Sequence, residues 1–312
     1  MVQWSCRRSG IHRARHAKGP AVIPRRSRWI GEHPLVAYFV FAFSITWIMI
    51  LPLALSAHGL FPFVVSEQWH FLGASGPIGA AFIVTGVADG KAGVIDSVHR
   101  LTRRRVAASW LLVSGLSPFA MFAVSVLAVG LFGGTWPAFG ELRSGEYATW
   151  AWVGGSLLSA IAYGVGEEAG WRGFALPRLQ YGRSALRATF TLSILWGLWH
   201  VPMFFYRFEF GVGQVVGFFV GLFAGAIWLT FLYNSTAGAT SMVALWHTGW
   251  NIVNIVGLAV SVEVVSLMSA MVIVLAVIIV IAAGPARLSR RPKHTIASTA
   301  RPTEPDGRRS RR

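Results

Sequence analysis

The sequence predicts an all-α integral membrane protein, a polytopic bundle of about eight transmembrane helices. Of its 312 residues, 54% are hydrophobic and only 13% are charged, and the mean hydropathy is +0.56. A soluble core of this size could not bury so much apolar surface, so the bilayer must act as the solvent. Each crossing needs about 20 mainly apolar residues. Eight segments meet this requirement: 34–57, 69–88, 108–132, 148–172, 187–206, 211–233, 238–261 and 264–284.

The distribution of positive charge predicts the orientation. Short loops that are rich in Lys and Arg stay in the cytoplasm. With both termini inside, every Lys and Arg except Arg143 and Arg207 lies on the cytoplasmic side. We therefore expect a multi-pass protein of the plasma membrane with cytoplasmic N and C termini. The Arg-, Ala- and Gly-rich composition suggests a bacterial source.

The two ends of the chain carry much of the net charge of +16. Residues 1–33 and 285–312 are predicted to be basic, disordered arms that flank a transmembrane domain at 34–284. Such a charge can indicate nucleic acid binding, but arms and short loops next to a bilayer are better explained by anionic lipid headgroups, at about 1 kcal/mol per basic residue. No nucleic acid partner is expected. The single cysteine, Cys6, permits no internal disulfide and no thiolate metal cluster.

Two further segments have informative patterns. Residues 94–105 place Val94, Ile95, Val98 and Leu101 on one helical face, which predicts a helix along the inner membrane surface. The sixth span has a glycine at every fourth position, which predicts close helix packing. These glycines are Gly213, Gly217, Gly221 and Gly225.

Ionisable side chains within the spans single out one site. Of twelve acidic residues only Glu167 and Glu168 fall well within a predicted membrane helix, and of nine histidines only His200 and His247 do. Placing such a group near the bilayer centre costs roughly 2.5–3.5 kcal/mol on insertion scales. These four side chains, on three helices, are therefore the candidates for function.

Helical spacing groups these residues with polar and aromatic neighbours. Residues four apart share a helical face. The pairs with this spacing are Trp196 with His200, His247 with Asn251, and Glu168 with Arg172. Because consecutive residues point about 100° apart, Glu167 does not share the direction of Glu168. We expect Glu168 to pair with Arg172 and Glu167 to be the freer carboxylate.

The depth of the site follows from the turn between the fourth and fifth spans. Gly182 lies near the midpoint between Glu167 and His200, so an antiparallel hairpin would bring these two residues level. This requires the fourth helix to continue beyond Arg172 despite Pro177. His247, about seven residues past the turn at 234–240, would lie at a similar depth. We therefore expect the site in the inner half of the membrane.

Three motifs in these segments resemble those of a known family. The sequences EEAGWR at 167–172, WGLWH at 196–200 and HTGWN at 247–251 are similar to the EExxxR, FxxxH and HxxxN or HxxxD motifs of the CPBP intramembrane proteases. This family is also called the ABI or CAAX-protease family, and it includes bacteriocin-processing members. The resemblance covers about residues 148–260. Trp196 departs from the usual Phe but keeps an aromatic side chain.

The resemblance implies an intramembrane endopeptidase and a role for each motif residue. Glu167 and His200 would bind and activate water, while His247 and Asn251 would donate hydrogen bonds to the tetrahedral oxyanion. The supporting residues would be Glu168, Arg172 and Trp196. The substrate would be a membrane-associated protein or peptide, and the sequence does not indicate whether it is prenylated.

The sequence leaves open whether a metal cofactor takes part. Glu167, His200, His247 and Asn251 could hold a divalent ion such as Zn²⁺ with one open position. The HExxH signature of many zinc proteases is absent from the sequence. A glutamate-dependent reaction without metal is the other possibility.

Three alternatives compete with the protease hypothesis. A proton-coupled transporter could use the Glu and His cluster as a relay, although no inverted sequence repeat is visible. A non-catalytic scaffold or immunity protein could share the family's fold. The segment from Gly73 to Gly76 resembles the nucleophile motif of rhomboid serine proteases around Ser75, but the order of the motifs is wrong for a rhomboid.

Overall fold

The computed structural model describes residues 25–133, 135–143, 149–208 and 210–297. These residues form α-helices joined by short 3₁₀ segments, and they contain no strand. The helices are α1 (Arg25–Glu32), α2 (Pro34–Ala57), α3 (Ser75–Ala88), α4 (Gly90–Thr102), α5 (Ala108–Phe132), α6 (Trp150–Gly170), α7 (Leu176–Leu179), α8 (Ala185–Trp199), α9 (Val212–Ser235), α10 (Thr240–Val260) and α11 (Val262–Ala283). The predicted all-α polytopic bundle is confirmed.

Seven segments within the described residues are long and apolar enough to cross a membrane. They are Pro34–Ala57, Glu67–Ala88, Ala108–Phe132, Ala185–Phe205, Val212–Ser235, Thr240–Val260 and Val262–Ala283. Each corresponds to one of the eight predicted spans. The remaining prediction, 148–172, coincides with α6, a 21-residue helix. Its glycines, tryptophans and two glutamates make α6 less apolar than a typical crossing helix.

Two of the predicted spans are interrupted α-helices. The second begins with a 3₁₀ segment, Glu67–Ala74, before α3. In the fifth, α8 ends at Trp199, and a 3₁₀ segment, Val201–Phe205, follows His200. Pro202 disfavours α-helical geometry at the residue before it and has no N–H to donate. His200 therefore lies at the junction of the two segments.

The glycines of α6 allow its close approach to neighbouring helices. A Cβ atom on Gly166 would lie 2.5 Å from the Ala74 carbonyl oxygen, and one on Gly164 would lie 2.7 Å from the Thr248 nitrogen. A Cβ on Gly170 would lie 2.7 Å from the Pro77 carbonyl oxygen. Because real Cβ contacts are longer than these distances, α6 can pack at this separation from α3 and α10 only with glycine.

The predicted packing role of the glycines in α9 is wrong. A Cβ atom built on any of the four would meet no atom within 4 Å. These residues are Gly213, Gly217, Gly221 and Gly225. Their face of α9 points away from the rest of the described bundle. A repeat of small residues identifies a smooth helical face but does not say which direction the face points.

Gly170→Ala is expected to lower the free energy of unfolding by about 1–3 kcal/mol, the usual cost of overpacking a close contact. The new methyl group would lie within 2.7 Å of two Pro77 atoms. Thermal unfolding of the detergent-solubilised protein measures the effect. The matched control is Gly217→Ala, where a Cβ meets open space, and its stability should equal or slightly exceed that of the unmodified protein. Equal destabilisation by both substitutions would contradict this packing account.

The ends of the chain are more ordered than predicted. Within the predicted N-terminal arm, Arg25–Glu32 forms helix α1. Within the predicted C-terminal arm, Leu288 is fully buried and the His294 carbonyl oxygen accepts a 2.8 Å hydrogen bond from Gln180 Nε2. Residues 285–297 thus pack against the bundle instead of forming a disordered tail. The rest of both predicted arms, 1–24 and 298–312, lies outside the described residues.

Candidate active site

The fourth predicted helix continues past the glutamates, as the depth argument required. After α6 the backbone forms a π-helical turn, Trp171–Ala175, and then the short helix α7. The Trp171 backbone N–H donates to the carbonyl oxygens of Glu167 and Glu168. Single π turns within helices occur frequently at functional sites. This turn directly follows the two carboxylates and contains Arg172.

Glu168 is the centre of a buried ionic cluster. Its Oε1 accepts a 2.8 Å hydrogen bond from Arg172 Nη1, and it lies 2.8 Å from His247 Nδ1. The Glu168 and Arg172 side chains are fully buried. The predicted pairing of these two residues is therefore present in the structure, and it extends to α10 through His247.

The ionic cluster retains unused hydrogen-bonding capacity. Glu168 Oε2, Arg172 Nε and Arg172 Nη2 are buried and have no hydrogen-bond partner among the described residues. Buried polar atoms are normally satisfied, and exceptions are often associated with function. These three atoms could therefore accept or donate further hydrogen bonds.

Glu167 is surrounded by aromatic N–H donors instead of cations. Its Oε2 accepts a 3.0 Å hydrogen bond from the Trp171 indole and a second bond from the Trp196 indole. The side chain is 2% exposed. Glu167 has no salt bridge among the described residues, whereas Glu168 contacts both Arg172 and His247. This difference agrees with the prediction that Glu167 is the freer carboxylate.

Trp196 contacts residues from all three motifs. Besides donating to Glu167, its ring lies 4.5 Å from the Arg172 guanidinium carbon. Its ring centroid is 5.8 Å from that of His247 and 5.9 Å from that of His200. The sequence indicated an aromatic support at this position. The indole N–H bond to Glu167 is an additional contact that a Phe could not make.

Both histidines use the same ring nitrogen for a protein contact. His200 Nδ1 lies 2.8 Å from the Trp196 carbonyl oxygen, and His247 Nδ1 contacts Glu168. Because a carbonyl oxygen only accepts hydrogen bonds, Nδ1 of His200 must carry the proton. In the neutral ring, Nε2 of His200 then has a free lone pair. His200 is therefore suited to accept a hydrogen bond from a water molecule.

Asn251 is more peripheral than the sequence suggested. Its Nδ2 donates to the Ala160 carbonyl oxygen over 3.4 Å, and its side chain is partly exposed. Asn251 lies one turn beyond His247 on α10. Among the described residues, the structure connects Glu167, Trp196, His200 and the Glu168 cluster through direct contacts, but it shows no hydrogen bond from Asn251 to any of them.

The residues that could hold a metal ion, by the sequence, do not form a metal-binding group among the described residues. Within the described residues, no three His, Cys, Asp or Glu side chains converge as a metal site requires. Glu167 Oε2 is engaged by two indoles, and Glu168 Oε1 is engaged by Arg172 and His247.

Three polar contacts around the site were not predicted from the sequence. His70, which is 7% exposed, has Nδ1 at 2.5 Å from the Tyr206 hydroxyl, and its carbonyl oxygen accepts a 2.9 Å bond from Tyr163. The contact between His70 and Tyr206 joins the 3₁₀ segment before α3 to the end of the 3₁₀ segment after His200. Arg100 of α4 is also buried, and its Nη1 donates to the Gly173 carbonyl oxygen over 3.0 Å. Arg100 thereby ties α4 to the π turn.

The rhomboid alternative gains no support from the geometry. Ser75 is exposed, and its hydroxyl donates to the Leu72 carbonyl oxygen over 2.6 Å. A serine nucleophile needs a neighbouring base. The only hydrogen bond of this hydroxyl among the described residues is local, within a helical turn.

Comparison with known proteins identifies the segment that contains the three motifs. Residues 149–253 match a family described as type II CAAX prenyl endopeptidase, Rce1-like. CAAX prenyl protease 2 of Methanococcus maripaludis is 29% identical over 98 residues, which are 29% of this chain and 35% of that protein. The aligned part thus spans about a third of this relative's length. The segment that holds the buried glutamates and histidines is therefore similar to the CAAX-protease-like family.

Proposed function

We propose that the protein is an intramembrane endopeptidase of the CAAX-protease type. The observation that carries the proposal is the convergence of Glu167, His200 and the Glu168 cluster on Trp196. A carboxylate without a cation partner and an imidazole with a free Nε2 can together activate water. Hydrolysis of a peptide bond needs that activation and a stabilised oxyanion.

In the proposed first step, water attacks the carbonyl carbon of the scissile peptide bond. Nε2 of His200 accepts a hydrogen bond from the water, and Glu167 takes up the proton that the water loses. The new C–O bond converts the carbonyl oxygen into an oxyanion. In the second step the C–N bond breaks, and Glu167 transfers its proton to the leaving amine.

His247 and Asn251 are proposed to stabilise the oxyanion. Since Nδ1 of His247 faces Glu168, only Nε2 is available for the oxyanion. Donation from Nε2 requires both ring nitrogens to carry protons, and the Glu168 carboxylate is the counterion for that charged ring. Arg172 fixes the Glu168 carboxylate in turn. Asn251 would donate to the same oxygen through Nδ2, which contacts the Ala160 carbonyl oxygen in the structure.

The proposed substrate is a membrane-associated protein or peptide. The matched relative is named a prenyl protease, so a C-terminal prenylated peptide is the first probe. An unprenylated transmembrane peptide is the second probe. A buried site between membrane helices could also receive a transmembrane segment whose helix has unwound locally.

Proteoliposomes that contain the purified protein test the proposal. The unmodified protein should cleave one of the two probes, and His200→Ala and His247→Ala should each abolish cleavage while the protein still inserts and unfolds cooperatively. Mass spectrometry identifies the products and the cleaved bond. Proton flux that depends on Glu167, without cleavage of any membrane peptide, would overturn the proposal in favour of transport.

A further inference from the structure

A groove between α8 and α9 lies apart from the candidate active site. It lies beside the first turns of α8, is largely open, and has a volume of about 540 Å³. Its lining residues are Arg183, Leu186, Arg187, Phe190, Thr191 and Phe223. The proposed peptidase mechanism uses none of these residues.

The groove is polar at one end and apolar at the other. Arg183 and Arg187 are exposed and lie at the end of the helical hairpin formed by α7 and α8. Phe190 follows Arg187 by three residues, or about 4.5 Å along the helix. Its ring makes an edge contact with Phe223 of α9, with the centroids 5.4 Å apart. A ligand that fills the groove would therefore have a charged end and an apolar body.

The charge of the groove is positive and is not neutralised by neighbouring residues. The sequences of α8, of α9 and of residues 284–297 contain no Asp or Glu. Neither Arg183 nor Arg187 forms a salt bridge with any described residue. Lys293 adds a third positive charge nearby, since its Nζ donates to the carbonyl oxygens of Gln180 and Arg183. An anion at this end would be attracted by several cations.

The backbone of α8 does not compete with the arginines for that anion. The Ala185 and Leu186 N–H groups donate to the carbonyl oxygens of Ala286 and Pro285 at 2.9 and 3.0 Å. The Arg187 N–H donates to the Ser184 hydroxyl. Recognition must therefore come from the guanidinium groups, which bind phosphate through paired N–H donors.

We propose that this groove binds an anionic glycerophospholipid. The phosphate contacts Arg183 and Arg187, and an acyl chain lies against Phe190 and Phe223. A free phosphate would use the arginines but leave the aromatic wall uncovered, whereas a lipid engages both ends. The proposed occupant therefore comes from the surrounding leaflet, and this binding does not depend on the peptidase activity.

Native mass spectrometry of the full-length protein in detergent, titrated with dioleoyl phosphatidylglycerol, tests the proposal. The unmodified protein should retain one phosphatidylglycerol in preference to dioleoyl phosphatidylcholine. Arg183→Gln and Arg187→Gln should each weaken that binding about fivefold. Phe223→Ala should also weaken it, because the apolar wall contributes to lipid binding. Glycerol phosphate should not displace the lipid at comparable concentration.

The matched control is the double substitution Arg290→Gln and Arg291→Gln, which removes the same charge at exposed positions that do not line the groove. It should leave the binding of phosphatidylglycerol unchanged. If the control weakens binding as much as the Arg183→Gln and Arg187→Gln pair does, the attraction is general electrostatics and the groove site is overturned. Equal retention of phosphatidylcholine would overturn it as well, and displacement by glycerol phosphate would assign the site to a soluble phosphate.

Discussion

Glu167→Gln is expected to lower the rate of peptide cleavage by a factor of about 1,000 or more, since removing a group that activates the nucleophile typically costs this much. The amide keeps the size of the carboxylate but cannot accept the proton of the attacking water. Cleavage of the reporter peptide in proteoliposomes measures the effect, with kcat as the parameter that falls.

Glu263 supplies the matched control for this substitution. It is an exposed carboxylate in the first turn of α11, outside the three motifs. Glu263→Gln should leave cleavage unchanged. Since Glu167 accepts two indole hydrogen bonds, the unfolding temperature of Glu167→Gln must also be measured. A Glu167→Gln protein that unfolds normally and cleaves at the original rate would remove Glu167 from the mechanism.

Arg172→Gln is expected to lower the free energy of unfolding by about 3–5 kcal/mol, which is the usual cost of removing one partner of a buried ion pair. Arg172 and Glu168 are both fully buried at 2.8 Å. Removing the guanidinium leaves the Glu168 carboxylate with His247 as its remaining ionisable partner. Chemical unfolding in detergent micelles, followed by tryptophan fluorescence, measures the change.

A double-substitution cycle separates the ion pair from simple loss of packing. Glu168→Gln together with Arg172→Gln removes both charges and should be more stable than Arg172→Gln alone. Arg291→Gln, at an exposed position, is the matched control and should change the stability by less than about 0.5 kcal/mol. If the double variant is no more stable than Arg172→Gln alone, the unpaired buried charge does not explain the loss.

The local parts of the site could be predicted because they depend on helical spacing alone. Glu168 and Arg172 are four residues apart, and their contact follows from the geometry of one helix. The cost of burying charge in a membrane likewise identified the glutamates and two histidines. The continuation of the helix beyond Arg172 was also predictable, although the π form of the turn was not.

The contacts that could not be predicted join residues far apart in the sequence. Arg100 reaches Gly173, His70 reaches Tyr206, and Gln180 reaches the backbone of His294. Each depends on how separate helices are arranged, which the spacing within one helix does not contain. The glycines of α6 and α9 make the same point. Both helices contain repeated glycines, but Gly164, Gly166 and Gly170 of α6 face close neighbours, whereas the four repeated glycines of α9 face open space.

The π turn at Trp171–Ala175 makes the length of this segment critical. A π turn contains one residue more than the α-helical turn it replaces, and one residue corresponds to about 100° of rotation about the helix axis. The part of the chain after the turn is anchored by Arg178 to Asp89 and by Gln180 to Asn234. A deletion of one residue within the turn would therefore rotate Glu167 and Glu168 away from α8 and α10. Sequences that share this site should tolerate substitutions between Trp171 and Ala175 better than any change in the number of residues there.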